Sequence, residues 1–426
     1  MALRNSHTAT STVIPMPLRT SPRTTEWQRP AKCQFAVEQQ PMTITVVRSV
    51  AELAEHQTAW EELARHAIEP NIYYEPWMFL PAWELLGKNA DLRCVLLYTT
   101  GPSNEGSKQI LCGFFPLERM RGYKGLPVHY VQFWRTPQMS LCTPLIRAEY
   151  ARDCLTEFFD WLCEAKESGS LLAIEYLSGD GLFNQLLTDY ANDCPNLLTI
   201  EERTNRALLE RRANTEDYLN LALSGKRRKE MRRQEKLLRQ AGDMAFVEYR
   251  SGDDLDHWLD QFLALEAHGW KGDEGSALDA QRETRELFLR TMRAAAAHDR
   301  LTILALQLND APIAMKINVQ AGVGSFALKI AYDEKYASYS PGVQLELENI
   351  RRFHEHPYLE WMDSCATSRH FMINRLWVDR RPLKRLLIAT GKGGGNFIVA
   401  AMPLLRWCKR KFTKSSSASA TAPAQD

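Results

Sequence analysis

The chain lacks several features that would place it in a specialised class of protein. No apolar run among its 426 residues approaches the roughly 20 residues needed to span a bilayer. Basic and acidic side chains number 53 and 52, which argues against a protein-wide attraction to nucleic acid or acidic lipid. The nine cysteines include no Cys-x-x-Cys pair. Such an odd, unpatterned set is typical of reduced thiols in the cytoplasm rather than of a disulfide framework.

Metal ligands are also sparse. His354 and His356 are close in sequence, but no third ligand follows at a supporting spacing, so we predict no metal site. The rest of the composition, with 45% hydrophobic and 25% charged residues, is that of a soluble globular protein. Because the length exceeds what one hydrophobic core normally serves, we predict two domains, at residues 42–205 and 206–412.

The two ends of the chain differ from this globular part. Residues 1–41 are rich in Ser, Thr, Pro and Arg and contain no acidic residue before Glu26. Residues 413–426 form a Ser/Ala-rich stretch of low complexity. Neither composition can bury enough apolar surface to fold, so we predict that both ends are disordered. A transit-like segment or a mis-assigned start is the alternative for the first 41 residues.

The pattern between these ends predicts an α+β fold. Three strand-like segments at residues 301–308, 312–319 and 325–332 are rich in β-branched and apolar residues. Asn309-Asp310 and Gly322-Val323-Gly324 supply hairpin turns between them. An amphipathic helix follows at residues 343–354, and the first half of the chain shows a comparable order of strands and helices. Such mixing of an antiparallel meander with flanking helices defines the α+β class.

The loop between the meander and the helix is a candidate phosphate site. Pro341 can occupy the first helical position, and Gly342 lets a ligand approach the backbone. Ser340, Gly342 and Val343 would then offer backbone N–H groups at a helix N-terminus, which favours negative charge. We expect the pyrophosphate of an acyl-CoA to fit there, with Tyr339 beside the pantetheine arm.

Four stretches of sequence suggest a family. These are residues 329–343 (KIAYDEKYASYSPGV), 269–272 (GWKG), 363–366 (DSCA) and 374–382 (NRLWVDRRP). They resemble the CelD/BioF-like acetyltransferases of the GNAT superfamily, which are associated with bacterial polysaccharide synthesis and are related to the FemAB peptidyl transferases. The likeness covers roughly residues 218–395. The usual phosphate loop of that superfamily, a Gln or Arg followed by Gly-x-Gly or Gly-x-Ala, is replaced here by Tyr-Ser-Pro-Gly-Val.

The resemblance implies two GNAT-like folds in tandem and an acyl-CoA or related thioester as donor. The acceptor would be an amine or hydroxyl of a sugar, an amino acid or a polysaccharide precursor, with no metal required. A FemAB-like aminoacyl transferase and a non-catalytic accessory protein of a polysaccharide system are the alternatives. The expected location is the cytoplasm, with the inner membrane surface as a second option.

Acceptor-side candidates lie in two places. Glu266 lies at the end of a predicted helix. The glycine-rich stretch that follows contains Trp270 and Lys271 and could clamp an acyl chain or an anionic acceptor. A helix C-cap with a packed Trp explains the same pattern, and the resemblance favours substrate binding by Lys271. Arg380 could bind a phosphate or sugar carboxylate, although a solvated loop explains it equally well.

Catalytic candidates follow the third strand of the meander. Acyl transfer needs a base for the acceptor proton and a proton donor for the leaving thiolate, and Tyr332, Asp333 and Glu334 supply both types. Lys329 is a further catalytic candidate. Strand alternation places Lys329 on the face of Ala331 and Asp333, which would let Lys329 and Asp333 share one pocket wall. The alternative is a surface ion pair.

A second catalytic group is possible after the next strand. Asp363 could orient His370 as a general base, with Cys365 as an acyl-carrying nucleophile. Structural roles are the competing explanation for all three.

The sharpest charge feature is residues 225–240 (GKRRKEMRRQEKLLRQ). We interpret it as a helix with a solvated basic face, and docking of an acyl carrier protein is the alternative. Nucleic acid is not expected as a partner because aromatic residues for base stacking are missing from the run.

Overall fold

The computed structural model describes residues 41–103, 106–193, 198–268, 278 and 281–418. Most of the predicted disordered N-terminus, and also Trp270 and Lys271, therefore lie outside the described residues. Within the described part, thirteen strands form one mixed sheet. This confirms the α+β class.

The strands are β1 (Met42–Val47), β2 (Leu92–Ser103), β3 (Gly106–Tyr123), β4 (Leu126–Phe133), β5 (Leu145–Ile146), β6 (Leu171–Ser178), β7 (Leu198–Glu210), β8 (Met244–Glu248), β9 (Leu301–Leu308), β10 (Ala311–Ala321), β11 (Gly324–Tyr332), β12 (Trp361–Asp363) and β13 (Asp379–Ala389).

The helices are α1 (Val50–Glu55), α2 (Gln57–Arg65), α3 (Pro76–Leu86), α4 (Ala151–Glu164), α5 (Leu182–Asp193), α6 (Thr215–Ala222), α7 (Gly225–Ala241), α8 (Leu255–His268), α9 (Arg282–Ala297), α10 (Pro341–Glu355), α11 (Ile373–Leu376) and α12 (Gly395–Ala418). No helix in the ranges given above has both the length and the apolarity to cross a membrane.

The sheet contains the same arrangement twice. The antiparallel run β2-β3-β4 is followed by α4 and then by β6, which lies parallel to β4. The predicted meander forms the antiparallel run β9-β10-β11, and it is followed by α10 and by β12, which lies parallel to β11. This repeat of strand order and direction gives the tandem GNAT-like architecture that the sequence predicted.

The two repeats exchange their last strands. The spatial order in the middle of the sheet is β4-β6-β13-β7-β12-β11. Thus β7, at the end of the first repeat, pairs with β12 of the second, while β13 pairs with β6 of the first. The predicted boundary at 205/206 falls inside β7, so the sheet is continuous across it. The division into residues 42–205 and 206–412 stays a prediction for the chain, and it does not mark a break in the sheet.

Several elements were not predicted. β7 carries charged residues at Glu201, Glu202 and Arg203, and β13 begins with Asp-Arg-Arg-Pro, which we interpreted as a loop. Both strands pair on both sides, so backbone hydrogen bonds override their weak local pattern. Helix α12 continues to Ala418, beyond residue 412, where we expected the ordered chain to end.

Apolar packing covers both sides of the sheet. The largest cluster of buried side chains joins the sheet to α1–α5, α8 and α9, with Trp60, Phe158 and Phe262 among its members. Separate apolar clusters pack α10 against the sheet through Ile350 and α12 against the sheet through Val399. The meander is therefore enclosed between α8 and α9 on one face and α10 on the other.

Candidate active site

A β-bulge marks the place where β11 leaves its neighbour. β11 pairs with β12 only over Gly324–Phe326, and the chain then turns away after Asp363. On the other side, the register with β10 shifts between Ala327 and Lys329, which leaves Leu328 as the extra residue. Because a bulge re-aims the side chains around it, Leu328 and Lys329 both line a cavity at this position.

The cavity at the bulge, here called the inner cavity, has a volume of about 340 Å³. This lies in the usual size range of small-molecule sites. Its wall combines apolar side chains of α3 and α9 with Tyr73, Ser140, Lys329 and Cys365. An apolar chamber with a few convergent polar groups can hold an acyl chain and orient its reacting end.

Lys329 is held at the wall of the inner cavity by a buried carboxylate. Its Nζ lies 3.6 Å from Oε1 of Glu266, whose side chain is only 1% exposed. Oε2 of Glu266 accepts the backbone N–H of Leu278 at 3.0 Å. The sequence predicted both residues as site candidates, and the structure places them side by side.

Tyr73 and Ser140 join the cavity from the first half of the chain. The Tyr73 hydroxyl lies 2.9 Å from Ser140 Oγ and donates to Cys365 Sγ at 3.4 Å. Burial is the main cause that raises the pKa of Tyr73 above its usual value, so the phenol stays neutral and can donate a hydrogen bond.

Cys365 does not suit a nucleophilic role. Burial, and then the neighbouring charge of Asp363, raise the pKa of its thiol to about 11. The thiolate is the reactive form of cysteine, and little of it would be present at neutral pH. A covalent acyl-cysteine intermediate therefore finds no support in this geometry.

Asp363 forms the centre of a buried charge cluster. Arg206 contacts both of its carboxylate oxygens at 2.8 Å, Arg381 Nη1 lies 2.6 Å from Oδ2, and the N–H of Cys365 donates to Oδ1 at 2.8 Å. Burial alone would raise the pKa of Asp363, but the two arginine charges outweigh it and lower the pKa. Asp363 is thus an ionised structural anchor, and its enclosure does not fit the catalytic role that we expected.

His370 makes hydrogen bonds to residues at the start of α11. Its Nδ1 accepts the N–H of Ile373 at 3.4 Å, and its carbonyl accepts the N–H of Asn374. Both contacts shape the start of α11. Asp363 contacts arginines and His370 contacts this helix-starting turn, so the dyad in which Asp363 orients His370 stays a prediction.

Tyr332 and Asp333 also serve the local structure. A Cβ added to Gly342 would lie 3.2 Å from Tyr332 Cδ1, so this ring faces α10, on the opposite side of β11 from Lys329. Asp333 Oδ1 accepts the N–H of Lys335 at 3.0 Å and caps a short 3-10 helix. The shared pocket wall of Lys329 and Asp333 that we predicted is replaced by the pair of Lys329 with Glu266.

The predicted donor loop at the start of α10 is packed within the chain. The N–H of Ser340 donates to Ala337 O, and the N–H of Val343 donates to Ser340 O, each at 3.0 Å. Gly342 is buried, and Gln344 Nε2 donates to Met231 O of α7 at 2.9 Å. Two of the three expected donors are therefore used internally, so these residues do not fit a pyrophosphate cradle.

Tyr339 and Arg380 have structural contacts of their own. Tyr339 packs at the edge of a cluster that contains Leu238 of α7. Arg380 donates to the carbonyl oxygens of Trp377 and Asn374 at 2.6 and 3.0 Å, which closes the end of α11. Their ligand-binding roles stay predictions.

A second cavity adjoins the first. This outer cavity has a volume of about 320 Å³ and shares Pro137, Met139, Ser140 and Cys365 with the inner cavity. Its other residues come mainly from β6, β7 and β13, the strands at the exchange point. Arg135 and Arg385 lie 3.0 and 2.9 Å from the two oxygens of Glu175. Arg385 also lies 3.7 Å from Oε2 of Glu202, a second carboxylate of this wall. Arg206 and Lys384 line the cavity too, so cationic side chains outnumber carboxylates there, which favours an anion.

Sequence reasoning missed three residues of this region. Tyr73, Ser140 and Arg206 carry no motif, and they lie more than 120 residues before the bulge in the chain. Only the fold brings them to Cys365 and Asp363. Among the described residues, no group of three or more His, Cys, Asp or Glu side chains is arranged to hold a metal ion.

A comparison with known families gives a match in this part of the chain. A family model described as "Acetyltransferase (GNAT) domain" matches residues 225–371, which include α10, the bulge and Glu266. This match covers less than half of the chain. It indicates an acyltransferase, and the fold implies an acyl-CoA co-substrate. No curated protein matches the chain in sequence.

Solved structures align with 78–82% of the chain. FemX aligns with a TM-score of 0.51 at 11% identity, over 78% of this chain and 95% of FemX. A conserved protein of unknown function from Bacteroides thetaiotaomicron aligns at 0.48 and 11% identity, over 82% and 99% of the two chains. A tandem GNAT protein from the clavulanic acid biosynthesis pathway aligns at 0.40 and 12%, over 82% and 100%. The likeness to FemX supports a shared fold.

Proposed function

We propose that the inner cavity is the acyl-transfer site of this GNAT-type acyltransferase. The observation that carries the proposal is the position of Lys329, which lies on the β11 bulge, faces the cavity and is held by buried Glu266. The bulge lies close to the point where the pairing of β11 and β12 ends. A cation fixed at a partly enclosed, largely apolar site can stabilise negative charge that develops on an acyl oxygen.

The other polar groups have separate tasks in this proposal. Because Glu266 is almost fully enclosed, it acts by positioning Lys329 rather than by touching the substrate. Tyr73, neutral and hydrogen-bonded to Ser140, would turn its O–H away from Cys365 Sγ to donate to the reacting group or to the departing thiolate. Cys365 contributes wall surface between the two cavities.

The outer cavity supports an anionic acceptor. Its shared wall with the inner cavity lets an acceptor enter beside Ser140 and Cys365 while the acyl group occupies the apolar chamber. Arg135 and Arg385 would hold a phosphate or carboxylate group of that acceptor. A phosphorylated or acidic sugar precursor fits this chemistry, and it agrees with the resemblance to CelD/BioF-like proteins of bacterial polysaccharide synthesis.

Two kinds of acyl donor are compatible with this site. The packed start of α10 does not supply the expected pyrophosphate cradle, which favours a donor held mainly by other contacts. An acyl group on a carrier protein is one such donor, and α7 supplies basic residues for docking. An aminoacyl ester is the other, and the shared fold with FemX supports it. We propose a cytoplasmic location because the thiol pattern favours a reducing compartment.

The test begins with donor binding by the purified full-length chain. Acyl-CoAs of several lengths and acyl carrier protein would be compared by thermal shift and calorimetry. A ligand at one hundred times its dissociation constant should stabilise the fold by about 2.7 kcal/mol. Turnover would be followed as thiol release with a panel of amino-sugar and sugar-phosphate acceptors.

A matched pair of variants then tests the site. Lys329→Met should lower turnover by about 100-fold or more. Because it also removes a cation from buried Glu266, the melting temperature should fall as well, so turnover is compared well below that temperature. Lys335→Met, on the exposed 3-10 helix after β11, should leave turnover unchanged. Equal turnover in both variants would place the chemistry elsewhere. Absence of turnover and binding with every donor would favour the accessory-protein alternative.

A further inference from the structure

The C-terminal helix α12 is firmly seated on the sheet by one face. Val399 and Met402 are buried in a cluster with Leu171 and Leu387 of the neighbouring strands. Arg406 extends this face and donates to the backbone carbonyl of Glu201 at 2.7 Å. These contacts fix the rotation of the helix about its axis, so the direction of its opposite face is determined.

The opposite face is apolar and exposed. Phe397 and Leu404 are seven residues apart, which is close to two helical turns, and they are 78% and 62% exposed. Leu405 and Trp407 flank this line and are about half exposed. Because apolar side chains lie on the outer face of α12 as well as on its packed face, the outer face is a candidate contact surface for a partner.

The sequence around this helix is strongly basic. Between Arg380 and Gln425 there is no acidic residue. The same stretch contains ten basic residues: Arg380, Arg381, Lys384, Arg385, Lys392, Arg406, Lys409, Arg410, Lys411 and Lys414. Because the formal charge of the whole chain is only +1, this excess of positive charge is confined to one end of the sequence. Five of the ten lie within residues 406–414, next to Trp407.

We propose that α12 docks the protein on an anionic lipid surface. Phe397, Leu404 and Trp407 would enter the headgroup boundary, and the positive charge that the sequence concentrates in residues 406–414 would attract the anionic lipids. Apolar side chains beside Lys and Arg are the combination that binds helices in the plane of a membrane. A second copy of the chain is a poorer partner for this face because two such basic segments would repel each other.

This inference is independent of the acyl-transfer site. It assigns the membrane contact to α12 rather than to the basic helix α7, whose apolar residues Met231 and Leu238 are buried against the fold. The enzyme would thereby work at the membrane surface, where acceptors with a lipid part are concentrated.

The experiment is flotation of the full-length protein with lipid vesicles. Vesicles of phosphatidylcholine alone would be compared with vesicles that contain an equal part of phosphatidylglycerol. We expect at least about tenfold stronger binding to the anionic vesicles, and loss of most of that binding at about 1 M salt, where the Debye length is about 3 Å.

A matched pair of variants identifies the surface. The double change Phe397→Glu with Leu404→Glu should weaken vesicle binding by about tenfold or more. Leu221→Glu on α6, where the leucine is 65% exposed, should bind like the unchanged protein. Melting curves would confirm that both variants fold, as the exposure of the three positions leads us to expect.

Three results would overturn the proposal. One is absence of binding to anionic vesicles, and another is unchanged binding of the double variant. The third is a dimer, seen by light scattering, that the double variant dissociates, because α12 would then contact a second copy of the chain.

Discussion

Replacing Asp363 with a neutral residue should lower the free energy of unfolding by more than the same replacement of an exposed aspartate. The carboxylate is fully buried and contacts Arg206 of β7 and Arg381 of β13. It thereby connects the end of β12 to both exchanged strands. Asp363→Asn keeps the shape of the side chain but leaves two arginine charges without their counter-ion.

The expected magnitude follows from this burial. Removing one partner of a buried ion pair typically costs about 3–5 kcal/mol, because the remaining charge stays desolvated. Asp91 offers a matched control, since it also contacts two arginines, Arg93 at 2.6 Å and Arg119 at 3.4 Å, but is 54% exposed. Asp91→Asn should cost only about 0–1 kcal/mol. Urea unfolding of the two variants and the unchanged protein measures the difference.

The pH dependence gives a second check on the same residue. The folded-state pKa of Asp363 lies below its usual value of 3.8. The stabilisation by its charge is therefore fully present above that value and is lost as the pH falls through the lower, folded-state pKa. The gap between the unchanged protein and Asp363→Asn should be constant from about pH 8 to pH 5 and shrink in strong acid. A gap under about 1 kcal/mol at pH 7, or one that widens on acidification, would refute the reasoning.

Three further predictions concern other buried groups. Lys316 Nζ lies 2.8 Å from Glu346 Oε2 with both side chains buried, so Lys316→Met should lower the free energy of unfolding by about 3–5 kcal/mol, and adding Glu346→Leu should recover part of the loss in urea titrations. Cys365, with its pKa raised to about 11, should react slowly with iodoacetamide at pH 7 and faster as the pH rises, and Cys365→Ser should keep most turnover. Gly342→Val should cost about 1–3 kcal/mol of stability through crowding against Tyr332, with donor affinity by calorimetry largely unchanged.

Local sequence patterns determined much of the second repeat. The β-branched and apolar content of β9, β10 and β11 and the hairpin turns between them depend on neighbouring residues, so the meander could be predicted within a few residues. The helical spacing after Pro341 predicted α10, and strand alternation predicted that Lys329 and Ile330 lie on opposite faces of the sheet. In each case the physical cause lies within one turn or one hairpin.

Tertiary structure decided the arrangement of the candidate site. The exchange of β7 and β13 joins segments about 180 residues apart, and only that pairing encloses Asp363 between Arg206 and Arg381. The partner of Lys329 proved to be Glu266 rather than Asp333, because α8 packs on the face of β11 that carries the bulge. From the sequence, Gly342 was compatible with either a phosphate-binding loop or close packing of the chain. In the structure it packs closely against the ring of Tyr332. These outcomes depend on burial and on long-range contacts, which a local pattern of residues does not encode.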